Sequence, residues 1–289
     1  MRYEKAFTFT VFGVVLMSFE SLLIKMTSIP AQSLTFYFGL LMFASTNGVL
    51  LIQQKSHFFE LYQQEFKPIL LSALFMGTSN FFFVLAIKNT TVASAVFILS
   101  SAPLVSALIA FVLFRTKTPK RIFIATFFVF CGLFLILIDD LNGGRWQGNL
   151  YAFLCVISFS SLFSVLERYK KISRLACIGG GGLMAAFLAG ITSAIVLPDA
   201  YSFGVIFFMG AILTPISRVF IGVGTKILPS SDVTLLTIIE TVLAPIWVWI
   251  FLSETPTPNT LWGGVIIIIA LVLNGIVAHR SFKREHPKY

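Results

Sequence analysis

Apolar runs of about twenty residues, separated by short charged or polar stretches, follow one another along the whole chain. Cutting at charge clusters, prolines and polar loops leaves ten of them, at 6–25, 33–52, 68–87, 91–114, 121–138, 148–166, 175–197, 203–225, 231–252 and 259–278. A helix that crosses the hydrocarbon core of a bilayer needs about 20 mostly apolar residues. The pattern predicts an all-α integral membrane protein with ten transmembrane helices. The opening MRYEK and the apolar run behind it have the look of a secretory leader. A small-x-small cleavage site is missing before Glu20 and Lys25, so the run reads as a retained first helix.

Composition agrees with a lipid solvent. Hydrophobic residues make up 57% of the 289 positions and charged residues only 11%, against about 25% charged in soluble domains. The formal net charge of +9 would suit nucleic acid if the basic residues formed one patch, but they fall in short clusters between the apolar runs. No nucleic-acid partner is expected; the lipid bilayer is.

The clusters carry a direction instead. Seventeen Lys and Arg lie in one alternate set of loops and tails, at 2, 5, 55, 67, 115, 117, 120, 121, 168, 170, 171, 174, 226, 280, 283, 284 and 288; three, Lys25, Lys88 and Arg145, lie in the other; Arg218 belongs to neither. Basic residues mark cytoplasmic loops. Both termini are therefore expected in the cytoplasm, with the chain in a cell inner membrane and Asp139, Asp140, Asp199 and Glu254 facing outward.

The chain also repeats itself. RTKTP at 115–119 and ETPTP at 254–258 stand 139 positions apart, and the same offset lays Ala93–Ile138 on Asp232–Val277 and AIKNTTVASA (86–95) on TKILPSSDVT (225–234). This divides the chain into five-helix halves at 1–140 and 145–280, followed by a basic cytoplasmic tail at 281–289. Five is odd, so the halves enter the membrane from opposite sides. Such inverted repeats build secondary transporters, with the substrate site near the midplane between the halves.

Glu240-Thr-Val-Leu-Ala-Pro245, then Glu254, then Gly263-Gly264 resembles the EamA-type repeat of the drug/metabolite transporter superfamily. In the first half Arg115 stands where the terminal Glu is expected, and Ser101 where Glu240 would be. The resemblance implies a ten-helix transporter around a central cavity and leaves the cargo open, since the superfamily includes exporters of amino acids and metabolites, importers of organic cations, and exchangers.

Ionisable residues at membrane depth cost roughly 2.5–3.5 kcal/mol on insertion scales, so they face a cavity or a partner. Glu20, Arg218 and Glu240 are such residues. At ~1.5 Å per residue, Glu240 lies roughly 13 Å from the start of its helix and Arg218 roughly 12 Å from Lys226. The depths agree, and an Arg218–Glu240 ion pair is expected, either as a latch between helices or as part of a substrate site. An Arg holds carboxylate or phosphate by a forked contact. The 139 offset matches Arg218 with Ser79 and Glu240 with Ser101, which keeps polarity at both positions. Asn80 falls near the midplane, as a cavity amide or as helix glue. Glu20, about 7 Å from the outer end, reads as a half-exposed gate residue, a contact for a cationic substrate, or a passive group. Of Trp247 and Trp249, nearly opposite on one helix, Trp247 is the candidate to face the cavity. Glu254 reads as the water-exposed end of its helix, with a role in the fold. The candidate substrate site is thus Glu20, Asn80, Ser101, Arg218, Glu240 and Trp247. Pro103, Pro215 and Pro245 permit bends, and Gly179–Gly182 close helix packing or a hinge.

Cys131, Cys155 and Cys177 sit in apolar stretches and are expected to be buried thiols; His57, His279 and His286 are scattered, so no metal or cofactor is expected. No Walker loop, GxSxG or HExxH occurs, so the chain is not expected to be an enzyme. The preferred reading is a secondary transporter working by alternating access, exporting amino acids or related zwitterionic metabolites, with a coupling proton or counter-substrate. Transport of an organic cation, a quaternary amine or a sulfonium metabolite, is the alternative; a membrane scaffold or a lipid-modifying enzyme is the alternative of another class. Monomer and dimer are both left open.

Overall fold

In a computed structural model, which describes residues 3–54, 58–102, 104–105, 120–142, 144–169, 172–224 and 230–285, each of the ten predicted runs lies on helix over at least part of its length, and no strand occurs among the described residues. The helices are α1 (Tyr3–Met17), α2 (Glu20–Met26), α3 (Ala31–Gln54), α4 (Phe58–Gln64), α5 (Phe66–Asn89), α6 (Val92–Leu99), α7 (Lys120–Asn142), α8 (Trp146–Arg168), α9 (Arg174–Thr192), α10 (Ala200–Phe207), α11 (Thr214–Gly224), α12 (Ser230–Leu252) and α13 (Pro258–Glu285), with a π-helical segment, Phe208–Leu213, between α10 and α11. Among the described residues five stretches are long and apolar enough to cross a membrane: Lys5–Met26, Ala31–Gln54, Phe66–Asn89, Arg174–Thr192 and Ala200–Gly222; Ile124–Ile138, Ile239–Leu252 and Pro258–Asn274 are shorter apolar helices. The RTKTP segment and Pro103 lie outside the described residues.

Two interruptions shape the interior. The first apolar run breaks at Ser18–Phe19, where the Phe19 N–H bonds the Leu16 carbonyl at 3.2 Å, a tightened turn, before Glu20 opens α2. The second lies just before Pro215. Proline has no N–H, so the carbonyl four residues earlier, of Ala211, loses its helical donor. The helix widens into the π segment ahead of it, the form such a defect commonly takes. By contrast α12 runs on through Pro245.

Helix α9 packs along α3 and α5, and α5 along α8. The glycine run makes the first of these crossings possible. A Cβ on Gly39 would collide with the Gly182 carbonyl oxygen, and one on Gly182 would stand 2.6 Å from the Gly39 carbonyl oxygen. The two backbones touch, which only glycine permits, so Gly179–Gly182 acts here as a packing surface.

One continuous cluster of buried apolar side chains joins α2, α3, α5, α6 and α8 with parts of α12 and α13. Ile124, Phe127, Phe130 and Phe134, at helical spacing on α7, are all about 60% exposed. That is an outward apolar face, as lipid requires. Cys131 shares it: the expectation of three buried thiols holds for Cys155 and Cys177 and is corrected for Cys131, which is exposed, because its position falls on the outer side of α7. Asp199 caps α10, its Oδ2 accepting from the Ser202 N–H at 3.2 Å, while Oδ1 accepts from the Ser28 hydroxyl at 3.2 Å. Hydrogen bonds from Ser202, with a lesser one from Ser28, hold its carboxyl below the usual carboxylate range.

A buried charge cluster as the candidate functional site

The first break exists where Ser18, a hydroxyl that bonds backward, meets an aromatic anchor. The Ser18 Oγ donates to the Val15 carbonyl at 2.7 Å and accepts the Trp247 indole N–H at 2.9 Å. The Trp247 ring stacks on Phe19, centroids 4.7 Å apart and 15° from parallel. Helix α12 therefore braces the turn from which Glu20 projects. Glu20 is only 4% exposed. It is not the half-exposed group that one reading of the sequence allowed, because the turn carries it inward.

Two turns before Trp247, α12 supplies Glu240. One turn after the π segment, α11 supplies Arg218, and α5 supplies Asn80. The Arg218 Nη2 donates to Asn80 Oδ1 at 2.8 Å. The guanidinium charge reaches both Glu20 and Glu240, and the two carboxylates act on each other. Sequence reasoning anticipated that Arg218 and Glu240 share a depth, and they do come together. The anticipated direct ion pair does not form: among the described residues the guanidinium donates to Asn80, and the carboxylates stand farther off. The second acid, Glu20, 220 residues from Glu240 in sequence, lies within the field of the same cation, whose hydrogen bond goes to the amide.

Several polar atoms of this group are buried without a partner: Glu20 Oε1, Asn80 Nδ2, Arg218 Nε and Thr214 Oγ1. Thr214 lies beside Glu20 without closing a hydrogen bond. Buried polar groups are nearly always paired, so a cluster of unpaired ones calls for an explanation. The set has a definite complement. Asn80 Nδ2 and Arg218 Nε are donors, fit for an oxygen acid, and Glu20 Oε1 is an acceptor, fit for an ammonium or hydroxyl. Arg218 and Glu240 keep partial exposure while Glu20 and Asn80 are buried.

Helix α8 closes one side. Cys155, 2% exposed, lies within electrostatic reach of Arg218 and Glu240, and its sulfur is 3.3 Å from the Ser79 hydroxyl. Ser79, the residue that the 139 offset matches with Arg218, thus stands at the cluster. Ser101, matched with Glu240, is buried, but its hydroxyl donates to the Ile98 carbonyl at 2.6 Å, a local bond from the turn after α6 back to the last residues of that helix. Trp247 reaches the group through Ser18 and Phe19. Trp249 is 57% exposed, so of the two tryptophans Trp247 is the one turned inward. Sequence reasoning missed Thr214 and Cys155; a hydroxyl and a thiol in apolar helices carry no signal until the helices are packed. No group of His, Cys, Asp or Glu able to hold a metal occurs among the described residues.

Comparison with curated proteins finds no match. A solved structure titled only as the crystal structure of a protein superposes with a TM-score of 0.69 at 17% identity, covering 96% of this chain and all of its own; at that identity the likeness concerns the fold alone. The model of the EamA-like transporter family matches residues 5–138, the half that carries Glu20 and Asn80, whereas the residues that suggested the resemblance lie in the other half. Residues 5–138 are thus similar to a family of membrane transporters, and together with the long apolar helices the match supports a multi-pass membrane protein.

Proposed function

We propose that this protein is a secondary transporter for small zwitterionic metabolites, amino acids foremost, and that it exports them across the bacterial inner membrane. The observation that carries the reading is the unpaired polar set: two donors on Asn80 and Arg218 and an acceptor on Glu20, all in one buried group. A carboxylate bridging the donors and an ammonium on Glu20 or Glu240 would satisfy them together. Such charge-assisted bonds are the strong ones, and a polar group left unmade in that place costs about 1–3 kcal/mol. Ser101 and Trp247 serve behind the contact atoms, Trp247 by fixing the turn before Glu20.

The ten helical runs cross the membrane as halves 1–140 and 145–280 of opposite orientation, with both termini and the tail 281–289 cytoplasmic. The seventeen-to-three division of basic residues supports this orientation. The halves rock about the charge group, exposing it to one side at a time, with a proton or a counter-substrate moving the other way. A second reading has one specific support. Two carboxylates against one guanidinium leave acid in excess beside the Phe19–Trp247 stack, which suits an organic cation. Flux into liposomes holding purified protein decides between them. A neutral amino acid that moves, and competes with its own unlabelled form, supports the zwitterion; movement of a quaternary amine with no amino-acid flux overturns it.

A further inference from the structure

A second polar group lies at the end of the bundle where α2, α5 and α12 all finish, beyond the charge cluster on the same segments. Lys25 at the end of α2 makes an ion pair with Glu254 Oε2 at 3.0 Å and donates to the Thr90 carbonyl at 3.0 Å. The other carboxylate oxygen, Oε1, accepts the N–H of Val92, the first residue of α6, at 2.7 Å. Lys88 at the end of α5 donates back to the Thr27 carbonyl just after α2. The two lysines thus cross: each reaches a backbone carbonyl on the other's segment, and Glu254, from the opposite half of the chain, closes the ring.

These segments are the ones that carry the charge cluster. Lys25 is five residues beyond Glu20, Val92 twelve beyond Asn80, and Glu254 fourteen beyond Glu240, about 21 Å along a helix. We propose that Lys25, Glu254 and the backbone at Thr90–Val92 form a gate that shuts the charge cluster off from this end of the molecule and opens once per cycle; its role in a cycle rests on the transport reading above. Two further observations favour a gate over a fixed tie. Ser253, the residue that aims Glu254, holds φ at 55°, a left-handed conformation costly for a side chain other than glycine and asparagine and persistent mainly where function or neighbours demand it. The ends of α2, α5 and α12 also meet through polar bonds, with the ion pair 21% and 25% exposed, so water is at hand to replace each bond when the ends part. The long α9–α3 crossing, by contrast, is backbone against backbone.

Cys155 supplies a reporter, since it is buried at the cluster. In a full-length protein with Cys131→Ala and Cys177→Ala, in sealed vesicles of known orientation, a water-soluble maleimide is added on the Lys25 side and the Cys155 labelling rate read by mass spectrometry. Glu254→Gln is expected to raise that rate about tenfold, the shift of open population that about 1.4 kcal/mol gives. The exchange Lys25→Glu with Glu254→Lys recovers only part of the closure, because it restores the ion pair and loses the acceptor for the Val92 N–H. Should Glu254→Gln fail to fold, Lys25→Cys with Glu254→Cys replaces it: the oxidised pair suppresses Cys155 labelling and reduction restores it. An unchanged labelling rate in folded Glu254→Gln, or in the oxidised against the reduced pair, overturns the gate. The assay contains no substrate, so it can fail while amino-acid flux stands, and flux can fail while it succeeds.

Discussion

Replacing Trp247 separates the two bonds that fix the turn before Glu20. Trp247→Phe keeps a ring over Phe19 and deletes the indole N–H, whose bond to Ser18 Oγ is 2.9 Å long. A hydrogen bond of this kind contributes about 0.5–1.5 kcal/mol net. Trp247→Ala also removes the stack at 4.7 Å, about another 0.5–1.5 kcal/mol, and leaves a hole, for a total of about 3–5 kcal/mol. Ser18→Ala deletes the other partner and strands the indole N–H, about 1–3 kcal/mol. The assay is thermal unfolding of the detergent-solubilised protein, in which 1 kcal/mol shifts Tm by about 2–4 °C for chains of a few hundred residues. Trp247→Phe and Ser18→Ala should each lower Tm by a few degrees, and the double variant by clearly less than the sum, since both remove the same bond. Additive shifts would refute the reasoning, and so would a Trp247→Phe protein as unstable as Trp247→Ala.

Two other outcomes follow from particular contacts. Gly39→Val should destabilise by about 1–3 kcal/mol or more, because its side chain has no room against the Gly182 carbonyl, while Gly48→Ala, which meets open space, should be neutral or slightly stabilising; a Tm series on the two checks both. Asp199 has a folded-state pKa below its ordinary value, so its contribution is present above about pH 4 and is lost as pH falls through the lowered value. Asp199→Asn should therefore flatten the acid side of a Tm-against-pH profile and leave the neutral side with a constant offset; an unchanged acid limb would count against the cap.

Much of this architecture was legible because a bilayer imposes a length on each helix. The runs at 33–52 and 68–87 anticipate α3 and α5 to within two residues at either end, since lipid leaves no other use for twenty apolar residues in a row. The breaks were not legible. Ser18–Phe19 is unremarkable as sequence, and only the arrival of Trp247 from 229 positions away makes it a turn. Pro215 announced a bend, but a widened helix is one of several forms a bend takes, and packing against α3 selects it. For the site, shared depth brought Arg218 and Glu240 together on paper, yet depth is one coordinate. It says nothing of azimuth, and it is azimuth that gives Arg218 to Asn80. The gate shows the same limit: Lys25 and Glu254 both read as ends of helices meeting water, and which ends touch is a property of the bundle.

The central claim is that Glu20, Asn80, Arg218 and Glu240 together hold a zwitterion. Ligand-induced thermal stabilisation of the purified protein tests it most directly, with amino acids, organic cations, nucleotide sugars and phosphorylated metabolites as the panel. A ligand at a hundred times its Kd adds about 2.7 kcal/mol to the folded state, which is several degrees in Tm. The account predicts that a neutral amino acid raises Tm and that the rise vanishes in both Arg218→Ala and Glu240→Gln. A cation that stabilises the unaltered protein and Arg218→Ala alike, and loses its effect only in Glu240→Gln, would contradict it.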